Sequence, residues 1–127
     1  MKNSFCWLQL QSTKPEEIKK FYSSLFDWKL SDPTNKEPIY THIDTGEGAG
    51  GGIMAAQPGV PSHWMPYVQV ENLDRYTKKA EELGANIIVP STIIESGGSF
   101  SVIQDPSGAY IGLYQLPQYN KELSLNF

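Results

Sequence analysis

The feature that most constrains the fold of this chain is a pattern of elements that occurs twice. In each half, an apolar–polar alternation typical of a half-buried strand precedes an amphipathic helical stripe, and three β-rich segments follow. Trp7 and Trp64, near the starts of the two halves, lie 57 residues apart, and Gly52 and Gly112 lie 60 apart. We therefore predict an internal duplication of a strand–helix–three-strand unit. Two helices and about eight strands in one chain give an α+β class.

The first predicted helix has a start signal, an apolar stripe and an end. Thr13 followed by Glu16 matches a capping box, and Pro15 falls in the first turn, where its missing N–H costs nothing. The apolar stripe consists of Ile18, Phe21, Tyr22 and Leu25. We expect this helix to end near Asp27.

The second half has its own signals for where its helix and strands begin and end. Asn72 is a favourable N-cap, and Gly84 is placed to end the second helix. The stripe between them consists of Leu73, Tyr76, Ala80 and Leu83. We expect the β-rich segment 86–89 to be closed by Pro90, and the run 105–108 (Asp-Pro-Ser-Gly) to form a type I turn between the last two strands.

Composition excludes several classes of function. Cys6 is the single cysteine, which rules out a disulfide scaffold and favours a small buried hydrophobe in a strand. The net charge is −4, and Arg75 is the only arginine among ten basic residues, so a nucleic-acid-binding surface is not expected. No apolar stretch approaches the ~20 residues of a membrane helix, and residues 1–11 show no signal-peptide pattern. We therefore expect no nucleic-acid or membrane partner and a cytoplasmic location.

Five segments together carry a family resemblance. In chain order they read Phe21-Tyr22-Ser23-Ser24-Leu25-Phe26-Asp27-Trp28, Gly51-Gly52-Ile53-Met54, Trp64-Met65-Pro66-Tyr67-Val68-Gln69-Val70, Leu83-Gly84-Ala85 and Asp105-Pro106-Ser107-Gly108-Ala109. Over residues 5–116 the chain resembles the glyoxalase/bleomycin-resistance/extradiol-dioxygenase superfamily, also called vicinal oxygen chelate. It departs from the pattern at Asp27, where a glycine is usual. The resemblance implies two tandem βαβββ modules forming a cupped, incompletely closed eight-stranded β-barrel, with the helices outside and a ligand or metal inside the cup.

We interpret residues 1–127 as a single domain of this type. Module one covers about 5–56, a Pro- and Gly-containing linker covers 57–63, module two covers about 64–116, and a tail follows at 117–127.

Period-2 alternation assigns side chains to the two faces of the predicted sheet. The helix-facing set is Leu8, Leu10, Val68, Val70, Ile111 and Leu113. The residues predicted to line the cup and bind a ligand are Trp7, Gln9, Gln11, Met54, Met65, Tyr67, Gln69 and Tyr114, with Gly52 and Gly112 beside them. The lining is therefore aromatic and rich in amides, without charge on these strands.

The resemblance also implies where a metal would be held in an enzyme of the family. The four ligand places fall on Trp7, Met65, Gly112 and either Gly52 or Ile53, and none of these can bind a divalent ion. Gln9 is at most one weak ligand. We expect His42 to have a surface or hydrogen-bonded role and His63 to be exposed in the linker. We therefore predict no metal site and no cofactor.

Other catalytic patterns are weak, so the catalytic residues stay unassigned. Residues 46–51 match G-x-G-x-x-G, but a strand rather than a helix is predicted to follow, so the match is accidental. The same glycines form a flexible hairpin or allow backbone to approach a ligand closely. Asp44 and Glu47 border that loop and are expected to be solvated. Asp105 is expected to hydrogen-bond within its own turn.

Three functions remain open from the sequence. The preferred one is a metal-free binder of a small amphipathic or aromatic molecule, held by stacking on Trp7 and Tyr67 and oriented by glutamine amides. The second is an enzyme of the superfamily (a lyase, isomerase or dioxygenase) with an unrecognised site. The third is a protein-interaction module.

We also predict a homodimer. The resemblance implies one, and the tail carries Leu123, Leu125 and Phe127 at period two, an apolar pattern that a monomer would leave in water. The tail is therefore expected to contribute to the dimer interface.

Overall fold

The computed structural model describes residues 2–32, 39–94 and 97–117. Its elements in chain order are β1 (Phe5–Ser12), α1 (Pro15–Leu25), β2 (Lys29–Ser31), β3 (Thr41–Asp44), β4 (Gly50–Ala55), β5 (His63–Gln69), α2 (Leu73–Glu82), β6 (Asn86–Ile93), β7 (Ser99–Gln104) and β8 (Tyr110–Gln115). The predicted α+β class and the two successive βαβββ modules are confirmed. No helix in the described ranges is both long and apolar enough to cross a membrane.

The chain divides into two compact units, and the division falls within β5. The first unit spans Phe5–Tyr67, and the second joins Met1–Ser4 to Val68–Phe127. In the first unit the strand order is β2-β3-β4-β1-β5, with β1 and β4 parallel and β3 antiparallel to both β2 and β4. In the second unit β8, β7 and β6 form an antiparallel series beside the end of β5. The predicted tail lies outside the described residues from position 118 onward.

The core of the first unit lies between its sheet and α1. Leu10, Ile43 and Ile53 are buried there, and Ile18, Tyr22, Trp28 and Leu30 pack against them. The alternation along β1 therefore predicts the faces correctly, because Leu10 points toward the helix. Leu8 shares that parity but is 41% exposed, so it is a rim residue rather than part of the core.

The core of the second unit repeats the arrangement with α2. Its buried members are Val70, Leu73, Ala85, Ile103 and Leu113, and Val68, Tyr76, Ala80, Ile87 and Ile111 pack against them. The predicted helix-facing residues Val68, Val70, Ile111 and Leu113, on β8 and at the end of β5, all belong to this cluster, which confirms the assignment of faces in this half.

The two helices begin differently, and the prediction was correct for only one of them. The N-cap of α1 is Lys14, without a side-chain cap, so the predicted capping box at Thr13 is wrong. The backbone N–H of Thr13 instead donates to Ser62 Oγ at 2.9 Å, which draws Thr13 away from the helix end. Pro15 occupies the first turn as predicted. In α2, Asn72 Oδ1 accepts from Arg75 N at 3.1 Å, which confirms that cap.

The end of α2 and the end of β6 test two further predictions made from the sequence. Gly84 follows α2 with φ of +105°, the left-handed conformation expected of a glycine at that place. Strand β6 does not stop at Pro90 but continues to Ile93, so that prediction is wrong. The pairing with β7 shifts register on both sides of Val89, and β6 ends the strand order. A proline is tolerated there because an edge strand has backbone N–H positions that need no ladder partner.

Candidate functional site

The candidate site lies on the face of the first unit's sheet opposite α1, which we call the site face. Because Leu10, Ile43 and Ile53 enter the α1 core, their neighbours along each strand point to the other side. Three rows of register partners cross this face: Trp7 with Gly50, Gln9 with Gly52 and Gln11 with Met54. His42 of β3 is also paired with Gly52, so Gln9, Gly52 and His42 form one row across three strands.

Gly52 makes room on the site face for the ring of Tyr40. A Cβ added at Gly52 would overlap the phenol of Tyr40, and one added at Gly50 would lie 3.4 Å from the indole of Trp7. Two aromatic rings therefore cover bare backbone of β4. The glycine run was expected to be a hairpin or to admit a ligand. The first part of the run is a loop with positive φ at Gly46 and Gly48. The second part is strand β4, and rings of this same chain lie over it.

A chain of hydrogen bonds joins four side chains on this face, which we call the amide network. Trp7 Nε1 donates to Tyr40 Oη at 2.8 Å, and Tyr40 Oη donates to Gln9 Oε1 at 3.1 Å. Tyr67 Oη donates to the same Gln9 oxygen at 3.5 Å. Tyr67 and Gln9 are buried, so the network is held in a largely dehydrated place. Trp7, Gln9 and Tyr67, predicted separately from the sequence, are brought together here through Tyr40.

The network is electrically neutral. Burial raises the pKa of Tyr67, and the nearby Tyr40 raises it further. Burial also raises the pKa of Tyr40, although the hydrogen bond from Trp7 acts in the opposite direction. Both phenols therefore keep their protons at ordinary pH, and each retains an O–H to donate to Gln9.

The amide nitrogen of Gln9 faces away from these partners. Among the described residues, no hydrogen bond engages Gln9 Nε2, and no side-chain nitrogen or oxygen that is fully buried lacks a partner. Gln9 Nε2 therefore has contact with solvent, although the residue as a whole is only 8% exposed. The site face thus presents a fixed N–H donor beside two aromatic rings.

His42 and Tyr40 are site-face residues that the sequence analysis did not select as ligand-binding. The ring of His42 meets Trp7 edge-on, with centroids 5.7 Å apart, and meets Tyr40 edge-on at 5.6 Å. His42 is exposed, in keeping with the surface role expected of it. The alternation of Tyr40 and His42 with Thr41 and Ile43 was the signal that pointed to this face. His63, also expected to be exposed, begins β5 half-buried, with Nδ1 2.9 Å from the carbonyl of Pro61.

The other predicted lining residues differ in setting. Met65 lies on β5 two positions before Tyr67 and is buried, whereas Gln11 and its partner Met54 are half-buried. Gln69 and Tyr114 belong to the second unit. The backbone of Gln69 bonds to Ser4 and to the side chain of Asn3, and Tyr114 is paired with Phe100. Neither Gln69 nor Tyr114 is a member of the amide network.

Cys6 and two turn carboxylates take the roles expected of them. Cys6 is half-buried in β1 with its Sγ 3.6 Å from the carbonyl of Tyr67, and burial raises the pKa of its thiol. Asp44 Oδ1 accepts from Gly46 N at 2.8 Å and is exposed. Asp105 accepts within its own turn from Ser107 and Ala109. None of the three offers chemistry to the site face.

The residues at the four metal-ligand places implied by the resemblance do not fit a divalent ion. Trp7 carries only an N–H donor, already bonded to Tyr40, and Met65 offers only a thioether. Gly52 and Gly112 have no side chain, and Ile53 is in the core. The Gln9 oxygen is occupied by two phenols. In the described part of the chain, no three or more His, Cys, Asp or Glu side chains are grouped for a metal.

The sequence of this chain is similar to those of known proteins. A family model described as the Glyoxalase/Bleomycin resistance protein/Dioxygenase superfamily matches residues 5–113. The Mycobacterium tuberculosis protein named "Putative glyoxylase CFP32" is 33% identical over 117 residues, covering 86% of this chain and 44% of the relative. The Streptomyces peucetius protein named "Anthracycline biosynthesis protein DnrV" is 26% identical over 125 residues, covering 86% and 46%. This chain thus spans less than half the length of these relatives.

A solved structure supports the fold alone. Methylmalonyl-CoA epimerase from Mycobacterium tuberculosis is similar with a TM-score of 0.68 at 13% sequence identity, covering 95% of this chain and 91% of that one. At this level of identity the likeness concerns the path of the backbone. It agrees with the predicted fold class, and it assigns no residue on the site face.

Proposed function

This chain belongs to the Glyoxalase/Bleomycin resistance protein/Dioxygenase superfamily, and from that premise we propose that its site face binds a small amphipathic or aromatic molecule without a metal ion. The observation that carries this proposal is the amide network. At Trp7, one of the places that the resemblance gives to metal ligands, and around it, this chain has a neutral, hydrogen-bonded cluster of three aromatic residues and one amide.

The chemistry of the network suits recognition of such a molecule. Binding sites for small molecules are mostly apolar and aromatic, with a few placed polar groups that fix orientation. Trp7 and Tyr40 supply flat rings, and Gln9 supplies one oriented donor. Each ring is held by its hydrogen bond, so little side-chain freedom is lost when a ligand binds.

The name of one relative agrees with an aromatic ligand. DnrV is named for anthracycline biosynthesis, and anthracyclines are planar fused-ring molecules with many oxygen acceptors. The identity is 26% and the chain spans 46% of that relative, so the name supports a chemical class and not a particular compound.

The second candidate function is an enzyme of the superfamily. CFP32 is named as a glyoxylase, and the exposed imidazole of His42 lies against both Trp7 and Tyr40. It is a titratable group placed beside the network. We assign it no catalytic role, but turnover that disappears in a His42→Gln variant with unchanged binding would favour this candidate.

Binding of 2-acetylnaphthalene, a planar aromatic ketone, tests the proposal. Protein treated with a chelator should bind it, and Trp7→Ala should weaken binding by about 1–3 kcal/mol because a stacking surface is lost. Trp28→Ala is the matched control, since Trp28 packs with Tyr22 and Phe26 on the α1 side of the sheet. A requirement for added Zn²⁺, Mn²⁺ or Ni²⁺, or one tightly bound ion per chain in elemental analysis, would overturn the metal-free part.

The predicted homodimer belongs to the same proposal and gains support from a patch of exposed apolar side chains on and beside α1. Its members Phe21, Leu25, Phe26 and Trp64 are between 40% and 57% exposed, and Tyr22 contacts the rings of Phe21, Phe26, Trp28 and Trp64. The matched relatives are more than twice as long as the matched segment, which leaves room for a second domain of this size. We propose that in this chain a second copy covers the patch.

Light scattering tests the dimer. At micromolar concentration the mass should equal two chains, and Phe21→Glu should reduce it to one. Ser23→Glu adds the same charge to the same helix about 200° away around its axis and should leave the dimer intact. A mass of one chain for the unaltered protein would contradict the proposal.

The cytoplasmic location predicted from the sequence is part of the proposal as well, and cell fractionation tests it.

A further inference from the structure

We propose that the site face selects ligands that present a hydrogen-bond acceptor, such as a ketone, amide or quinone oxygen, to Gln9 Nε2, and that it discriminates against ligands lacking an acceptor at that point. This inference rests on the proposed function, because it names the chemical class of the molecule bound at the same face.

The first step is the direction of the hydrogen bonds. An indole nitrogen can only donate, so the 2.8 Å contact uses a lone pair of Tyr40 Oη. The phenol has one proton, and its other short contact is Gln9 Oε1 at 3.1 Å, so it donates that proton to the amide oxygen. The bond from Trp7 therefore leaves the Tyr40 proton available for the amide oxygen of Gln9.

The second step is the orientation of the amide. The oxygen of Gln9 faces both Tyr40 Oη and Tyr67 Oη, and a carbonyl has two lone pairs for two such donors. Rotating the amide by 180° would leave the Tyr40 and Tyr67 hydroxyl protons without Gln9 Oε1 as their acceptor, so the observed orientation makes more use of the available donors. The network therefore holds the oxygen inward and the nitrogen outward.

The third step is what a ligand meets. An unrestrained glutamine can turn either its oxygen or its nitrogen to a ligand, and so it selects weakly. Here the nitrogen is the group that remains without a protein partner in the described residues and has contact with solvent. A ligand oxygen placed there accepts a hydrogen bond from Gln9 Nε2. A ligand C–H placed there leaves the amide N–H without an acceptor, and a ligand N–H places two donors against each other.

The experiment compares two ligands of nearly the same shape. 2-Acetylnaphthalene carries a C=O where 2-isopropenylnaphthalene carries C=CH₂, so the pair differs in the acceptor. Ligand-observed NMR titration should give a Kd about 3- to 10-fold lower for the ketone. In Gln9→Glu the outward nitrogen becomes a carboxylate oxygen, and the preference for the ketone should vanish or reverse.

Two further variants make the test specific. Gln57→Glu changes the net charge by the same amount at an exposed linker position of the same unit, and the ketone preference should persist. Tyr40→Phe removes the proton that orients the amide without adding charge. It should reduce the preference, which keeps the test valid if Gln9→Glu proves unable to fold by circular dichroism.

The outcomes separate this inference from the function on which it rests. Equal binding of both naphthalenes, weakened by Trp7→Ala, would overturn the acceptor selection and leave the proposed function standing. A ketone preference that survives both Gln9→Glu and Tyr40→Phe would also overturn it, because the acceptor would then be bound by another group such as His42. Binding of neither probe up to its solubility limit would overturn both.

Discussion

Replacing Gly52 with alanine tests whether the absence of a side chain at this position makes room for the Tyr40 ring on the site face. Gly52 lies in β4 between its partners Gln9 on β1 and His42 on β3. The backbone of β4 is therefore held from both sides, whereas the atoms that a new methyl group would overlap belong to the far end of the Tyr40 side chain. We expect the Tyr40 ring to be displaced and the sheet to persist.

The expected cost follows from the contacts that Tyr40 makes. Displacement breaks the bond from Trp7 Nε1 at 2.8 Å and the bond to Gln9 Oε1 at 3.1 Å. At about 0.5–1.5 kcal/mol each, the two bonds account for about 1–3 kcal/mol. Alanine in a strand regains about 0.5–1 kcal/mol relative to glycine, so the free energy of unfolding should fall by about 0–2.5 kcal/mol.

A double-mutant cycle provides the assay. Urea denaturation followed by circular dichroism gives the free energy of unfolding for the unaltered protein, Gly52→Ala, Tyr40→Ala and the double variant. Without the Tyr40 ring, the three atoms nearest to the new methyl group are gone, and Gly52→Ala should cost less than in the unaltered background or stabilise by about 0.5 kcal/mol. If Gly52→Ala lowers the free energy of unfolding equally in both backgrounds, Gly52 acts through the backbone, and the claim that it makes room for the Tyr40 ring is wrong.

Three further predictions concern the cores and the turns. Leu10→Ala should cost about 2–5 kcal/mol because Leu10 is 4% exposed in the α1 core, whereas Leu8→Ala, at the exposed rim of the same strand, should cost under about 1 kcal/mol; similar losses in urea denaturation would contradict the two-face assignment. Asn72→Ala should cost about 1 kcal/mol through loss of the α2 cap, and Asn72→Asp, which keeps an oxygen acceptor, should retain most of it in the same measurement. The pKa of Asp105 is lowered from its usual 3.8 by the hydrogen bond from Ser107, then by that from Ala109 N. Because the folded pKa is the lower one, this stabilisation is present above that usual value and is lost as pH falls through the folded pKa. Urea midpoints should therefore drop more steeply as pH falls below 3.8 in the unaltered protein than in Asp105→Asn.

The parts of the fold that could be predicted from sequence are those set by alternation against a helix. Burial of Leu10 and Val70 follows because period two places them toward α1 and α2, and a helix covering one sheet face imposes that parity on every strand beneath it. Helix start and strand end depended on tertiary partners instead. Ser62, 49 residues from Thr13 in sequence, draws the expected cap residue away, and the edge position of β6 makes Pro90 harmless.

Three of the four members of the amide network were predictable from the sequence, but their connections were not. Trp7, Gln9 and Tyr67 were selected by parity alone, but Tyr40 lies 33 residues from Trp7 and outside any strand. Its place over Gly52 depends on the register of β3, β4 and β1, which no local pattern encodes. The glycine run at residues 50–52 was recognised as a region of close approach, but the sequence did not say that the approaching group would be the protein's own ring.

The chemistry of Gln9 is itself an argument that the site face has a function beyond packing. Burying an amide among aromatic rings stabilises a fold only if its polar atoms are bonded, and an apolar side chain of similar size usually serves a core at least as well. Met65, which lies on β5 with the same parity as Tyr67, shows that this face accepts such a residue. Two phenols, one of them bonded by Trp7, nonetheless donate to the oxygen of Gln9, whereas its nitrogen has no partner among the described residues and has contact with solvent. A purely structural cluster gains nothing from that asymmetry, whereas a binding site gains one donor of known position and direction.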